Sequence, residues 1–297
     1  MSAPQQLRLR SRGPFSLELA ASFGFGPREA EPDAGLMRLA FCVDGFREYA
    51  GVVVYEDGGE LACEVHGAKE LDVVAGQVER ILSLDHDGRA WASVGDRDPV
   101  IGELQRRYPG LRPVLFHSPY EAAAWSIIST RYARPLAARS RARIADELGS
   151  EFSLAGERVA AFPCPERLLE AGPLPGLGGQ KVERLHHVAR AALEGRLDAE
   201  RLRVLEPAQA MAELRELPGI GPFYAGLVVV RSVGVTDVLP AEEPRARLAA
   251  AHFYGLEAAP SAEEFTELAE PWRPFRSWAT VLLRFAWERE KEREGRG

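Results

Sequence analysis

Lysine is nearly absent from this chain: of its 37 basic residues only Lys69, Lys181 and Lys291 are lysine. A reaction that needs a lysine amine as nucleophile has almost no residue to use. Cysteine is scarce too. Cys42, Cys63 and Cys164 lie far apart with no CxxC pair, a spacing that argues against a disulfide framework and against a zinc or iron–sulfur site, so they read as buried small hydrophobes. The adjacent His186 and His187 would point to different faces of a helix and make a poor chelate. No apolar run approaches the roughly 20 residues that cross a bilayer, so no membrane partner is expected. Arg8, Arg10 and Arg12 are not followed by an apolar signal core, and a cytosolic protein is expected. GxGxxG after a strand, a Walker-type glycine–lysine loop and HExxH are all missing, which leaves dinucleotide, nucleotide and zinc-protease functions without support.

What is present is an ordinary globular composition, 46% hydrophobic and 27% charged over 297 residues, with a net charge of −7. The net charge opposes nucleic-acid binding mildly, but local distribution matters more than the total. Between Arg131 and Ala145 stand five arginines (Arg131, Arg134, Arg139, Arg141, Arg143) and no acid. That run is either a solvated helix surface or a phosphate-facing one.

Residues 1–112 read as a mixed α/β domain. Gly51 to Tyr55 and Leu61 to Val65 are β-rich and separated by Glu56-Asp57-Gly58-Gly59, a hairpin signal. Leu71, Val74, Val78, Ile81 and Leu82 then recur at helical spacing. Residues 113–297 read as helices joined by Pro/Gly loops, beginning with Pro119-Tyr120-Glu121 behind Ser118 as N-cap.

The densest motif is Leu217-Pro218-Gly219-Ile220-Gly221-Pro222-Phe223-Tyr224-Ala225, inside a helix-hairpin-helix expected at 212–231. Two glycines at i and i+2 between apolar runs suit a tight turn between packed helices. The amides opening the second helix point outward, so Gly219, Ile220 and Gly221 can hold a nucleic-acid phosphate without a lysine. Twenty-one residues after Gly221 comes Glu242, with Glu243 beside it. As N-terminal acids of a helix opening at Pro244, both would also simply favour its dipole.

Four blocks in this order resemble the helix-hairpin-helix (HhH-GPD) superfamily of DNA base-excision glycosylases, and within it the alkylated-base branch, 3-methyladenine DNA glycosylase II. They are Ser118 to Ala123, Phe162 to Leu168, the hairpin itself, and Glu270 to Ala279. The resemblance implies an α+β fold: an N-terminal domain with an antiparallel sheet, followed by an all-helical HhH-GPD domain carrying the site. It implies that a damaged nucleotide is flipped out of duplex DNA, that its base stacks on aromatics, and that a carboxylate assists hydrolysis of the glycosidic bond. The family's aspartate falls on Glu242 in Pro240-Ala241-Glu242-Glu243-Pro244, with Glu243 as the alternative. Superfamily members that also cut the backbone carry a lysine where this chain has Phe223, so a monofunctional enzyme is expected. Phe223, Tyr224, Trp272 and Phe275 are the expected base pocket, while Arg131, Arg245 and Arg247 join the hairpin as phosphate contacts. No cofactor and no catalytic metal are expected, with a monovalent cation at the hairpin as the one ion in view. The expected partner is double-stranded DNA with a damaged base, met by a monomer. The rival expectation is a protein of this fold that binds distorted DNA without chemistry, since glutamate replaces aspartate.

Overall fold

The computed structural model describes residues 4–27 and 35–294. Strands β1 (Gln5–Leu9), β2 (Leu36–Cys42), β3 (Tyr49–Asp57) and β4 (Glu60–His66) form one antiparallel sheet in the order β1-β4-β3-β2. Register places Met37 opposite Val54, and Val54 opposite Cys63. Alternation then turns Leu39, Val52 and Val65 to the same face. That face is buried against α2 (Leu71–Ile81), which presents Val74, Val78 and Ile81. Short helices α1 (Leu17–Ala21), α3 (Gly88–Ala92), α4 (Val94–Arg97) and α5 (Pro99–Arg107) complete this half.

After a crossing segment at 113–118 the chain becomes helical. The central helix is α6 (Pro119–Ser129), apolar on every side and buried from Pro119 through Ile128, as expected of a helix that neighbours surround. Around it stand α7 (Arg134–Leu148), α8 (Pro165–Glu170), α9 (Gly179–Leu193), α10 (Ala199–Val204), α11 (Pro207–Arg215) and α12 (Pro222–Val228). Helix α12 continues into a π turn at Val229–Val233. Three final helices are α13 (Pro244–Tyr254), α14 (Ala262–Leu268) and α15 (Arg276–Glu294). The fold is α+β.

Three features depart from expectation. The helical half contains a β-hairpin, β5 (Glu151–Leu154) with β6 (Glu157–Ala160). Its Phe152 lies flat on the outer face of the large sheet, where a Cβ added at Gly51 would come within 2.6 Å of the ring. Only glycine permits that approach.

The core does not divide at residue 112. One apolar cluster joins the sheet and α2 to α5 with Ala246 of α13, Phe265 of α14 and Trp278 and Leu282 of α15. A second cluster holds α6 through the π turn, from Phe116 to Val233. The chain therefore leaves the first core, builds the second, and returns.

Cys42 and Cys164 are joined by a disulfide, with Cα atoms 5.6 Å apart and 122 residues between them in sequence. The expectation of three free thiols holds only for Cys63, which is buried. The partners come from the end of β2 and the residue before α8, a proximity created by the fold, so sequence spacing carried no sign of it.

Candidate functional site

The hairpin is built by packing from below. Leu217 and Ile220 are buried in the second core, and the turn between them is closed by Ile220 N–H to Leu217 carbonyl at 3.0 Å. Gly219 has φ +93°, and a Cβ there would stand 2.8 Å from Arg184 Cδ and 2.9 Å from Ile127 Cδ1. Gly221 caps α12 with extended backbone and faces open space. Pro222 supplies no N–H, so the first outward amides belong to Phe223 and Tyr224.

Around this turn the structure gathers several of the expected residues. Phe223 is 59% exposed and meets Tyr224 edge-on at 5.3 Å. The Tyr224 hydroxyl is 3.3 Å from Ser129 Oγ at the end of α6. Two residues on, Arg131 is exposed with φ 59°, so its side chain leaves the surface from a left-handed backbone. Lys181 is engaged elsewhere: it donates to the Ile128 carbonyl at 2.7 Å and sits 3.2 Å from the centre of the Tyr132 ring.

The basic run on α7 divides. Arg139 and Arg143 are exposed. Arg141 turns inward, donating to Glu121 Oε2 at 2.8 Å, while His117 Nδ1 lies 3.2 Å from the other oxygen. Burial pushes the Glu121 carboxyl up, but His117 and Arg141 outweigh it and the net displacement is downward. Arg141 belongs to this internal ion cluster, not to a DNA-facing surface.

Two of the expected pocket aromatics are core residues. Trp272 is fully buried and donates from Nε1 to Asp98 Oδ2 at 2.9 Å. Phe275 is buried between Trp278, at 5.2 Å, and Trp91, at 5.9 Å. Neither offers a face to a base, because both fill the first core. Arg247 donates to the Pro260 carbonyl at 3.2 Å and is half-buried, whereas Arg245 is exposed.

The two candidate acids differ sharply. Glu242 is exposed. Glu243 is buried as the N-cap of α13, accepting from Ala246 N–H at 2.7 Å through Oε2. Arg284 Nη1 of α15 lies 3.8 Å from the same oxygen. Nearby Asp237 is fully occupied by Arg276 at 2.7 Å and Arg273 at 2.9 Å.

A group absent from the sequence reading lies beside Glu243. Arg284 Nη2 pairs with Glu288 at 3.2 Å, and Glu288 lines a cavity of about 320 Å³ together with Gly24, Gly26, Arg134, Phe285 and Arg289. That volume is at the lower end of ordinary ligand pockets, about 300 to 1,000 Å³. Arg231 stands next to this region, its guanidinium 4.0 Å from the Phe25 ring centre and 5.2 Å from that of Phe23. The run Phe23-Gly24-Phe25-Gly26, two aromatics spaced by glycines, was the available signal.

No protein-family model matches the chain. It is 32% identical to DNA-3-methyladenine glycosylase 2 of Escherichia coli over 188 residues, 62% of this chain and 63% of that one. It is 23% identical to the DNA-3-methyladenine glycosylase of Bacillus subtilis over 206 residues, 68% of each. Among solved structures it superposes on the 3-methyladenine DNA-glycosylase from Archaeoglobus fulgidus with TM-score 0.75 and 25% identity, covering 94% of this chain and 97% of that one. The chain thus spans about two thirds of the curated relatives' lengths and nearly all of the solved one. Taken with the hairpin, the sheet and the acids before α13, these likenesses support a 3-methyladenine DNA glycosylase II-like protein with the helix-hairpin-helix glycosylase fold.

Proposed function

We propose that this protein is a monofunctional DNA glycosylase that hydrolyses the N-glycosidic bond of alkylated purines flipped out of duplex DNA, and that Glu243 is its acid. The observation that carries the assignment is the placement of Glu243. It is fixed by the first turn of α13 and by Arg284, whose second partner lines the cavity. A carboxylate held in place before the reaction stabilises developing positive charge better than a mobile exposed one such as Glu242. In the reaction the C1′–N bond breaks and its electrons leave with the base, neutralising the positive charge of the alkylated ring so that the base departs as a neutral molecule. The carboxylate faces the cationic sugar and takes a proton from the attacking water, whose oxygen becomes the sugar hydroxyl.

The hairpin amides of Gly219 and Gly221 and the side chains of Arg131, Arg139, Arg143 and Arg245 are the phosphate contacts in this reading, whereas the expected contact from Ile220 falls away because its N–H is bonded to the Leu217 carbonyl. Phe223 and Tyr224 supply stacking surface. An amine-dependent backbone cleavage has no candidate here, since Phe223 stands at the hairpin and Lys181 is held against Ile128. The protein acts as a monomer in the cytosol.

The test is single-turnover base release by Glu243→Gln and Glu242→Gln. The glutamine carbonyl still accepts the Ala246 N–H, so the cap survives in the first variant. We expect Glu243→Gln to lose at least about 10²-fold in rate with DNA binding retained, and Glu242→Gln to stay near wild type. The opposite ranking would move the acid to Glu242. Lesion-dependent binding by the wild type with no release of any base would establish the non-catalytic alternative.

A further inference from the structure

From Leu217 to Ala225 the hairpin carries no charged side chain, and the charge beside it comes from α9. Leu185, Val188 and Ala192 of that helix are buried in the second core, which seats its first turns against the end of α6 and the turn at Gly219. Two cations stand there and are used differently. Lys181 turns inward: it donates to the Ile128 carbonyl and lies over the Tyr132 ring, whose hydroxyl donates to the Gly176 carbonyl at 3.1 Å. It fastens the loop after α6 to the loop before α9.

Arg184 is half-buried, with its stem pressed against Gly219. A Cβ at that glycine would stand 2.8 Å from Arg184 Cδ and 3.2 Å from its Nε. Among the described residues the guanidinium has no hydrogen bond and no ion pair, yet none of its nitrogens is shut away from solvent without a partner. They therefore reach water. By contrast, Arg141, Arg196, Arg201 and Arg203 on the surrounding helices are paired with Glu121, Glu216, Glu213 and Asp85.

An arginine packed along its stem, with an unpaired head in water, suits an anion. Packing has already restricted the stem, so little further freedom is lost on binding, and the planar guanidinium offers paired donors to a phosphate. The stem rests on Gly219, whose N–H is a proposed phosphate contact. Amides satisfy phosphate oxygens but leave the charge in place, whereas a guanidinium neutralises it and releases the counterion condensed there.

We infer that Arg184 is a phosphate-binding residue of the DNA interface, supplying a full positive charge from α9 at the phosphate that the hairpin amides hold, an inference that rests on the DNA-binding part of the glycosylase reading. The missing side chain at Gly219 then serves twice, by allowing the left-handed backbone and by letting the arginine stem pass beneath the turn.

The experiment is a set of fluorescence-anisotropy titrations at salt concentrations between about 50 and 200 mM, on an undamaged duplex and on one carrying a stable abasic analogue, so that binding is read with no bond broken. The variants are Arg184→Met, whose Sδ and Cε replace Cδ and Nε in the packing, Arg184→Gln as a second neutral side chain, Arg184→Lys, and Arg190→Met as a control at an exposed arginine of the same helix. Each is checked for folding by thermal melt. Both neutral variants are expected to weaken binding to the two duplexes by the same factor and to lower the slope of log affinity against log salt by about 0.9. Arg184→Lys should keep the wild-type slope, and Arg190→Met should leave affinity and slope unchanged. A lower melting temperature with the wild-type slope retained in the neutral variants would overturn the inference, because Arg184 would then only pack beneath Gly219. An equal fall in slope for Arg190→Met would overturn it as well, since the effect would belong to the overall charge. Failure of the folded wild type to bind either duplex is a different result, which removes the DNA-binding reading itself.

Discussion

A methyl group at Gly219 would meet Arg184 and Ile127 inside 3 Å on a backbone at φ +93°. Both faults act together, so Gly219→Ala is expected to cost about 1 to 3 kcal/mol of stability and to weaken binding to damaged and undamaged duplexes by the same factor, since phosphate contacts carry no base information. Paired fluorescence-anisotropy titrations measure this, and a loss confined to one lesion would contradict the phosphate role. Trp272→Phe removes the donor to Asp98. We expect it to destabilise by about 1 to 3 kcal/mol in urea melts without changing which base is released, because the ring lies in the core. The glycines of the hairpin were legible because their role is backbone geometry, which local sequence dictates. The aromatics were not. A tryptophan in Glu270-Pro271-Trp272 looks the same in sequence whether it walls a pocket or fills a core, and only the positions of Asp98 and Tyr254, remote in the chain, decide between them. The same limit separates Glu242 from Glu243: adjacent identical side chains are distinguished by which one faces the first turn of α13.

Helix starts were readable where α6, α8, α11, α12 and α13 each open with proline, while the short α10, which opens on Ala199 without one, was not. Proline fits the first helical position, where no amide is needed. The β5–β6 hairpin was missed because its strands are short and mostly polar, and its stability comes from Phe152 lying on Gly51. An element-level consequence concerns the end of the π turn, where His86 Nε2 meets the Gly234 carbonyl at 3.0 Å. Burial pushes the His86 imidazole below its ordinary value, against the pull of Asp85. The folded protein therefore binds this proton less readily than the unfolded chain does. Its contribution is complete above the ordinary histidine value of about 6.5 and is lost as pH falls from there toward the lower folded value, at no more than about 1.4 kcal/mol per pH unit. Thermal melts between pH 8 and 5 should show the decline, and His86→Gln, whose amide still donates to Gly234 but does not titrate, should flatten it. An unchanged slope would place the acid sensitivity elsewhere.

At the scale of the whole molecule, the disulfide between Cys42 and Cys164 ties the large sheet to the helical half across 122 residues. Closing so long a loop restricts the unfolded chain, and a loss of about 2 to 4 kcal/mol is expected on reduction or in Cys42→Ser. Urea melts with and without reductant read it; identical midpoints for oxidised and reduced protein would deny the tie any role in stability. The α+β class was legible from the β-rich start and the proline-punctuated helices, whereas the sharing of the first core between both ends of the chain was not, because helical periodicity says which face is apolar and not what lies against it.

That sharing bears on how the protein can be cut. A fragment stopping at residue 112 would keep the sheet and α2 but leave Leu39, Val52 and Val65 without the helices that seal their cluster. Shortening the chain at its other end before α13 would strip the same cluster from the opposite side while leaving the hairpin's own core untouched. In the proposed function the hairpin that meets the DNA backbone rests on the second cluster and the acid before α13 on the first, so a piece of the chain carrying the hairpin's core alone would leave the proposed acid behind.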